Sequence, residues 1–212
     1  FLSKIYTENE FNFTATPLSN LNYNKIQEQD LIILNELADI PAELQRSLFQ
    51  FSENGGNLAV IPSQNANIDS YNRLINAFQA GKIIAKIENE HLITAINYEH
   101  PLINDVFQKK VTNFQYPKTA LHYQNNSKNS AAILKFDNNS PFISSTKNKN
   151  GTFYWVAAPL NKSISDFTQS PLVVPIFYNF SKTSLKTSQL YHTIAPENNI
   201  EINAAIGKDD VL

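Results

Sequence analysis

The stretch Asp30–Leu37, the segment opened by Ile40-Pro41, and the run Asn57–Pro62 behind Asn54-Gly55-Gly56 together spell a strand, a helix and a second strand. Leu31-Ile32-Ile33-Leu34 and Leu58-Ala59-Val60-Ile61 are continuous apolar runs bounded by polar residues. That pattern suits strands buried on both faces, as parallel strands covered by helices are. Between them, Pro41 fits a first helical position because its missing N–H would be unpaired there. Leu44, Leu48 and Phe51 then fall on one face, and Gly55 supplies the left-handed turn that ends a helix. The unit predicts an α/β domain with a largely parallel sheet.

The rest of the chain carries further elements. Phe1–Tyr6 has apolar residues at helical spacing, and Phe11–Thr16 alternates as a strand does before Pro17. Asp69 is placed to cap a helix with Tyr71, Leu74, Ile75 and Phe78 on one stripe, closed by Gly81. Ile83–Ile87 and Leu92–Ile96 read as short strands, and His100-Pro101-Leu102 starts a short helix through Val106-Phe107. Ala131–Phe136, Pro141–Ser145 and Thr152–Ala158 are joined by Asn138-Asn139-Ser140 and by residues 148–151. Those links tolerate left-handed turns, so an antiparallel meander is expected. Leu172–Ser181 reads as a buried helix. Domain boundaries follow: residues 1–186 form the α/β unit, and 187–212 a β-rich tail with strands at Leu190–Ile194 and Ile200–Ala204, the start of a following β domain.

A chain of 212 residues buries about 70% of its unfolded surface. The 14 phenylalanines and 9 tyrosines supply a core, and a net charge of −2 speaks against a nucleic-acid partner. Cysteine is absent, which removes disulfides, thiolate nucleophiles and cysteine-ligated metals. Methionine is absent too, so Phe1 is not expected to be a natural start. No run reaches the ~18 apolar residues of a membrane span, so any anchor is expected outside these residues.

In an open parallel sheet, ligands favour the crevice beyond the carboxyl ends of the strands. The candidate crevice residues are therefore Asn35 and Glu36 after the first strand, Ser63 and Gln64 after the second, and Asn161, with Pro159 and Leu160, after the Trp155 strand. Asn, Ser and Gln also cap loops at such places. Ser63 lacks the flanking glycines of a nucleophile elbow. His91, His100, His122 and His192 show no two-histidine metal spacing, and His100 is placed to cap the helix behind it. Trp155 belongs to the core by its neighbours. No catalytic residue, metal or cofactor is assigned.

The ordered series Asp30–Leu37, Ile40-Pro41, Phe51–Leu58, Ile61-Pro62, Asp69–Asn72, His100–Phe107, Ala158–Asn161 and Val174–Asn179 resembles the soluble region of Bacteroides-type aerotolerance (Bat) proteins with an N-terminal double-transmembrane domain. The resemblance covers residues 1–185 and implies that the family's first strand precedes Phe1, so that the domain of residues 1–186 is expected to be short of that strand. It implies a flavodoxin-like, class I glutamine amidotransferase-like three-layer sandwich, a periplasmic location on an inner-membrane protein, a following β domain, and other envelope proteins as partners. Without cysteine, the glutamine-hydrolysing chemistry of true amidotransferases is excluded. The expected function is a non-enzymatic structural or protein-interaction domain in envelope assembly or stress tolerance. The alternative is a hydrolase or carbohydrate-binding module working from the strand-end crevice.

Overall fold

A computed structural model of the chain describes residues 1–103 and 115–185. Its centre is a seven-stranded sheet in the order β1-β2-β9-β8-β7-β4-β5, with β3 and β6 forming a separate pair. The strands are β1 (Leu31–Leu37), β2 (Asn57–Pro62), β3 (Ile83–Ile87), β4 (His91–Ile96), β5 (Lys118–Thr119), β6 (His122–Asn125), β7 (Ala131–Phe136), β8 (Pro141–Asn148) and β9 (Gly151–Val156). Four helices accompany them among the described residues: α1 (Leu2–Ile5), α2 (Ala42–Glu53), α3 (Ile68–Ala77) and α4 (Val173–Lys182).

The opening unit forms as its sequence dictates. β1 and β2 run parallel, from Leu31 opposite Asn57 to Leu37 opposite Pro62. Pro41 sits one position earlier than expected, as the residue preceding the helix, with φ −59°. Gly55 takes φ +95°, and Gly56 has no room for a side chain because a Cβ would meet the Phe51 ring at 2.1 Å. β9 pairs parallel with β2, so the carboxyl ends of β1, β2 and β9 lie along one border of the sheet.

Both faces of this parallel block are covered. Phe153 and Trp155 of β9 meet Phe78, just past α3, and Tyr71 of α3, at ring separations of 4.8 and 6.2 Å. Tyr154, on the opposite face, stacks on Phe180 of α4 at 4.2 Å. β2 and β9 are buried at all twelve positions. Burial of this kind contributes about 25 cal/mol per Å² of apolar surface, so these two strands and their aromatic cover form the core of the fold.

The largely parallel, flavodoxin-like sandwich expected from the sequence is not what forms. Four of the six neighbouring pairings in the main sheet are antiparallel: β9–β8, β8–β7, β7–β4 and β4–β5. The sheet is mixed, and its parallel part is confined to three strands at one end. The physical reason lies in the links. Asn139 (φ +65°) and Lys149 (φ +45°) close tight turns that force β7, β8 and β9 into the expected meander, which makes β9 the junction between a parallel and an antiparallel half.

Other expectations change locally. Phe11–Thr16 forms no strand: Phe11 and Phe13 pack on Tyr6 instead, at ring separations of 5.3 and 5.8 Å. Asn67, not Asp69, caps α3, its side chain accepting the Ser70 N–H at 3.3 Å. α3 ends at Ala77, before Gln79 (φ +54°) and Gly81 (φ +92°). The short strands β5 and β6 had no sequence signal. The helix expected through Val106-Phe107 falls partly, and the β-rich tail of residues 187–212 wholly, outside the described residues.

Candidate functional site

The crevice candidates sit where the three parallel strands end, and the structure shows what each one does. β1 carries a bulge between Asn35 and Leu37, so Glu36 is an extra residue with no register partner. Its φ is +54°, left-handed backbone that a side chain with a Cβ adopts at a cost of about 1 kcal/mol. The bulge swings its side chain towards the loop after β9. There one carboxylate oxygen accepts the Leu160 N–H at 2.8 Å, and the other accepts from Asn161 Nδ2 at 2.9 Å. Both oxygens of the crevice carboxylate are thus committed to tying two strand exits together.

Ser63 is turned to an equally local task. Its hydroxyl accepts the Asn65 N–H at 3.2 Å, a turn that orders the exit from β2. The Ser63 and Gln64 carbonyls face the hydroxyl of Tyr123 on β6, at 2.7 and 3.0 Å, and that hydroxyl accepts the Ala66 N–H at 3.4 Å. Tyr71 donates to the Leu37 carbonyl at 2.6 Å. Burial raises the pKa of both phenols, so both remain protonated donors across the neutral range. Asn35 and Gln64 are exposed. The structure brings Glu36 and Asn161 into direct contact and leaves Ser63 without an imidazole partner among the described residues.

The histidines lie elsewhere. His100 Nδ1 accepts the Leu102 N–H at 3.1 Å, within a turn, which leaves the proton on Nε2 to be donated to Ser145 Oγ at 2.8 Å. Desolvation lowers its pKa, in keeping with that neutral tautomer. His91 and His122 share no sequence spacing, yet β4 and β6 bring their rings edge to face at 5.0 Å. His91 Nδ1 contacts Asp137 Oδ1 at 2.7 Å. His122 is only 2% exposed, its Nδ1 has no hydrogen-bond partner, and its ring lies 4.4 Å from Phe136. Burial, aided by His91, lowers its pKa to about 4. No group of three or more histidine and acidic residues among the described residues could hold a metal ion. His192 lies outside the described residues.

No signal in the sequence pointed to Tyr123 or to the His91–His122 pair. Both depend on β6, a four-residue strand whose pattern, His-Tyr-Gln-Asn, has no apolar alternation.

The fold and this border define a mixed α/β domain in which Glu36 and Asn161, at two strand ends, are engaged with one another. No family model and no curated protein matches the chain. Solved structures do share its fold. A cytoplasmic protein of Salmonella typhimurium LT2 superposes with a TM-score of 0.58 at 12% identity, over 77% of this chain and 75% of that one. Another Salmonella typhimurium cytoplasmic protein gives 0.57 at 16%, over 79% and 75%. The cold-adapted β-galactosidase of Rahnella sp. R3 gives 0.52 at 16%, over 74% of this chain but only 23% of the enzyme. At such identities the likeness is one of fold.

Proposed function

We propose that this chain is a non-catalytic protein-interaction domain. The observation that carries the reading is the closed hydrogen bonding of Glu36: a carboxylate with both oxygens committed, to a backbone N–H and an amide, is a poor general base or nucleophile. Ser63 has no activating base within reach among the described residues, so acyl transfer lacks its first step. The resemblance to the Bat series supports placing the domain in the periplasm, on a membrane-anchored protein that serves envelope assembly or stress tolerance alongside other envelope proteins.

A second reading is a hydrolase or carbohydrate-binding module using the same crevice. It draws support from the β-galactosidase, in which this fold makes up under a quarter of a larger enzyme, and from the exposed amides of Asn35 and Gln64. One experiment separates the two. Purified protein is incubated with a fluorophosphonate probe and with chromogenic β-galactosides and β-mannosides. No labelling and no turnover is the expected result; labelling lost in Ser63→Ala, or turnover lost in Glu36→Gln, would make the domain an enzyme.

A further inference from the structure

β1 has the sequence of an interior strand and the position of an edge strand. Leu31-Ile32-Ile33-Leu34 matches β2 in apolar content. Yet β2 is buried at every position, whereas in β1 only Leu34 is fully buried. Among the described residues β1 pairs on one side alone, with β2. Among the described residues, the only other bond to its backbone is the one from the Tyr71 hydroxyl to the Leu37 carbonyl at its far end. Edge strands ordinarily carry a lysine, a proline, an inward charge or a bulge against further pairing; β1 has its bulge and its one charge at Glu36, near its end, and Leu31–Asn35 ahead of it carries none of these.

We propose that the free edge of β1 is the surface this interaction domain uses, and that it receives an extended strand of a partner protein with an uncharged aliphatic core flanked by Lys or Arg. The inference rests on the non-catalytic reading above. The charge preference comes from the neighbouring chain: from Ile26 to Gln45 it carries Glu28, Asp30, Glu36, Asp39 and Glu43 and no Lys or Arg. Glu28, Asp30 and Asp39 are exposed at the two ends of the strand. The same charges argue against a second copy. An antiparallel β1–β1 pairing centred on Ile33 sets Ile32 opposite Leu34 but leaves Leu31 opposite Asn35, and it brings Asp30 of each copy to the bulged end of the other, beside Glu36, where like charges are destabilising. Strand addition satisfies the free backbone groups, and alternate side chains of the added strand lie over Leu31 and Ile33 on one face and Ile32 and Leu34 on the other.

The test uses the whole 212-residue chain and three capped peptides with two-residue flanks: a Val-Thr-Ile-Val core with lysine flanks, the same core with glutamate flanks, and a lysine-flanked core with proline at its second position. Amide exchange at Leu31–Asn35 is followed by NMR, with light scattering for mass. The lysine-flanked peptide should bind with submillimolar affinity and slow exchange in this stretch by about tenfold or more, and the other two should bind at least tenfold more weakly. Asp30→Lys with Asp39→Lys, both exposed, should cost the first peptide a similar factor. The proposal is overturned if these amides are already slow in the free monomer, if they slow through dimerisation without peptide, or if the peptide leaves them unchanged. Peptide silence without turnover in the assays above removes this edge and spares the non-catalytic reading; turnover removes that reading itself.

Discussion

The two halves of the main sheet are built on different principles. In the parallel half, β2 and β9 are buried throughout between Tyr71 and Phe78 on one face and Phe180 on the other. In the antiparallel half, β7 and β8 mix buried positions with exposed and half-buried ones, and the buried set includes Ser144 and Thr146. There a hydroxyl chain runs from Ser127 through Ser130 to Thr146, each step 2.6 Å. Apolar area supports both halves, since Ile133, Leu134, Phe136, Phe142 and Ile143 are buried in the second, but only there do paired hydroxyls add about 1 kcal/mol each. Both halves should therefore fail through lost volume, and the antiparallel half also through lost partners or altered charge.

The largest expected effect is in the parallel half. Phe153→Ala leaves a hole against Phe78 and should cost about 3–5 kcal/mol, measured by denaturant unfolding. Loss below 1 kcal/mol would mean that the helices collapse freely onto the sheet and the contrast between halves is false.

Next comes pH, which should act where the separate β3–β6 pair packs on the antiparallel half, at His122 against Phe136. His122 takes a proton at about pH 6.5 when unfolded, but only near pH 4 when folded. Both states are neutral above pH 6.5. Between pH 6.5 and 4 the unfolded state binds the extra proton, so stability falls as pH falls, by about 3 kcal/mol in all. His122→Phe should remove most of this slope and leave the smaller one of the same sign from the desolvated His100. An undiminished slope in the variant would assign it to other groups.

Smaller effects are expected at the seam where the crevice candidates lie. Tyr123→Phe removes the hydroxyl that joins β6 to the Ser63 carbonyl and should cost about 1 kcal/mol. Asn161→Ala should cost slightly less, because the Leu160 N–H still holds one oxygen of Glu36.

The same contrast explains what could be read in advance. The strand–helix–strand from Asp30 to Pro62 was plain because apolar runs, a helix-starting proline and a left-handed glycine are local signals. The meander from Ala131 to Val156 was plain because its asparagine-rich turns are local as well. The place of β4 was not, since its partner is β7, and nothing near His91 marks the pairing of Ile93 with Phe136. Extending the parallel pattern of the opening unit to the whole sheet is what led to the wrong fold class. At the crevice, strand ends alone named Glu36 and Asn161 as candidates. Their mutual hydrogen bond depends on a bulge at a non-glycine residue, which no local pattern announces.

The central claim is that Glu36 holds the strand exits together and takes no part in a reaction. Reactive groups held in a crevice are often replaced with a gain in stability, whereas a structural carboxylate is replaced with a loss. Equilibrium unfolding of the unaltered protein, Glu36→Gln, Asn161→Ala and the double variant measures this directly. A loss of about 1–2 kcal/mol in Glu36→Gln is expected, with a coupling of about 0.5–1 kcal/mol between the two sites. A Glu36→Gln protein as stable as the unaltered one or more so, with no coupling to Asn161, would contradict it.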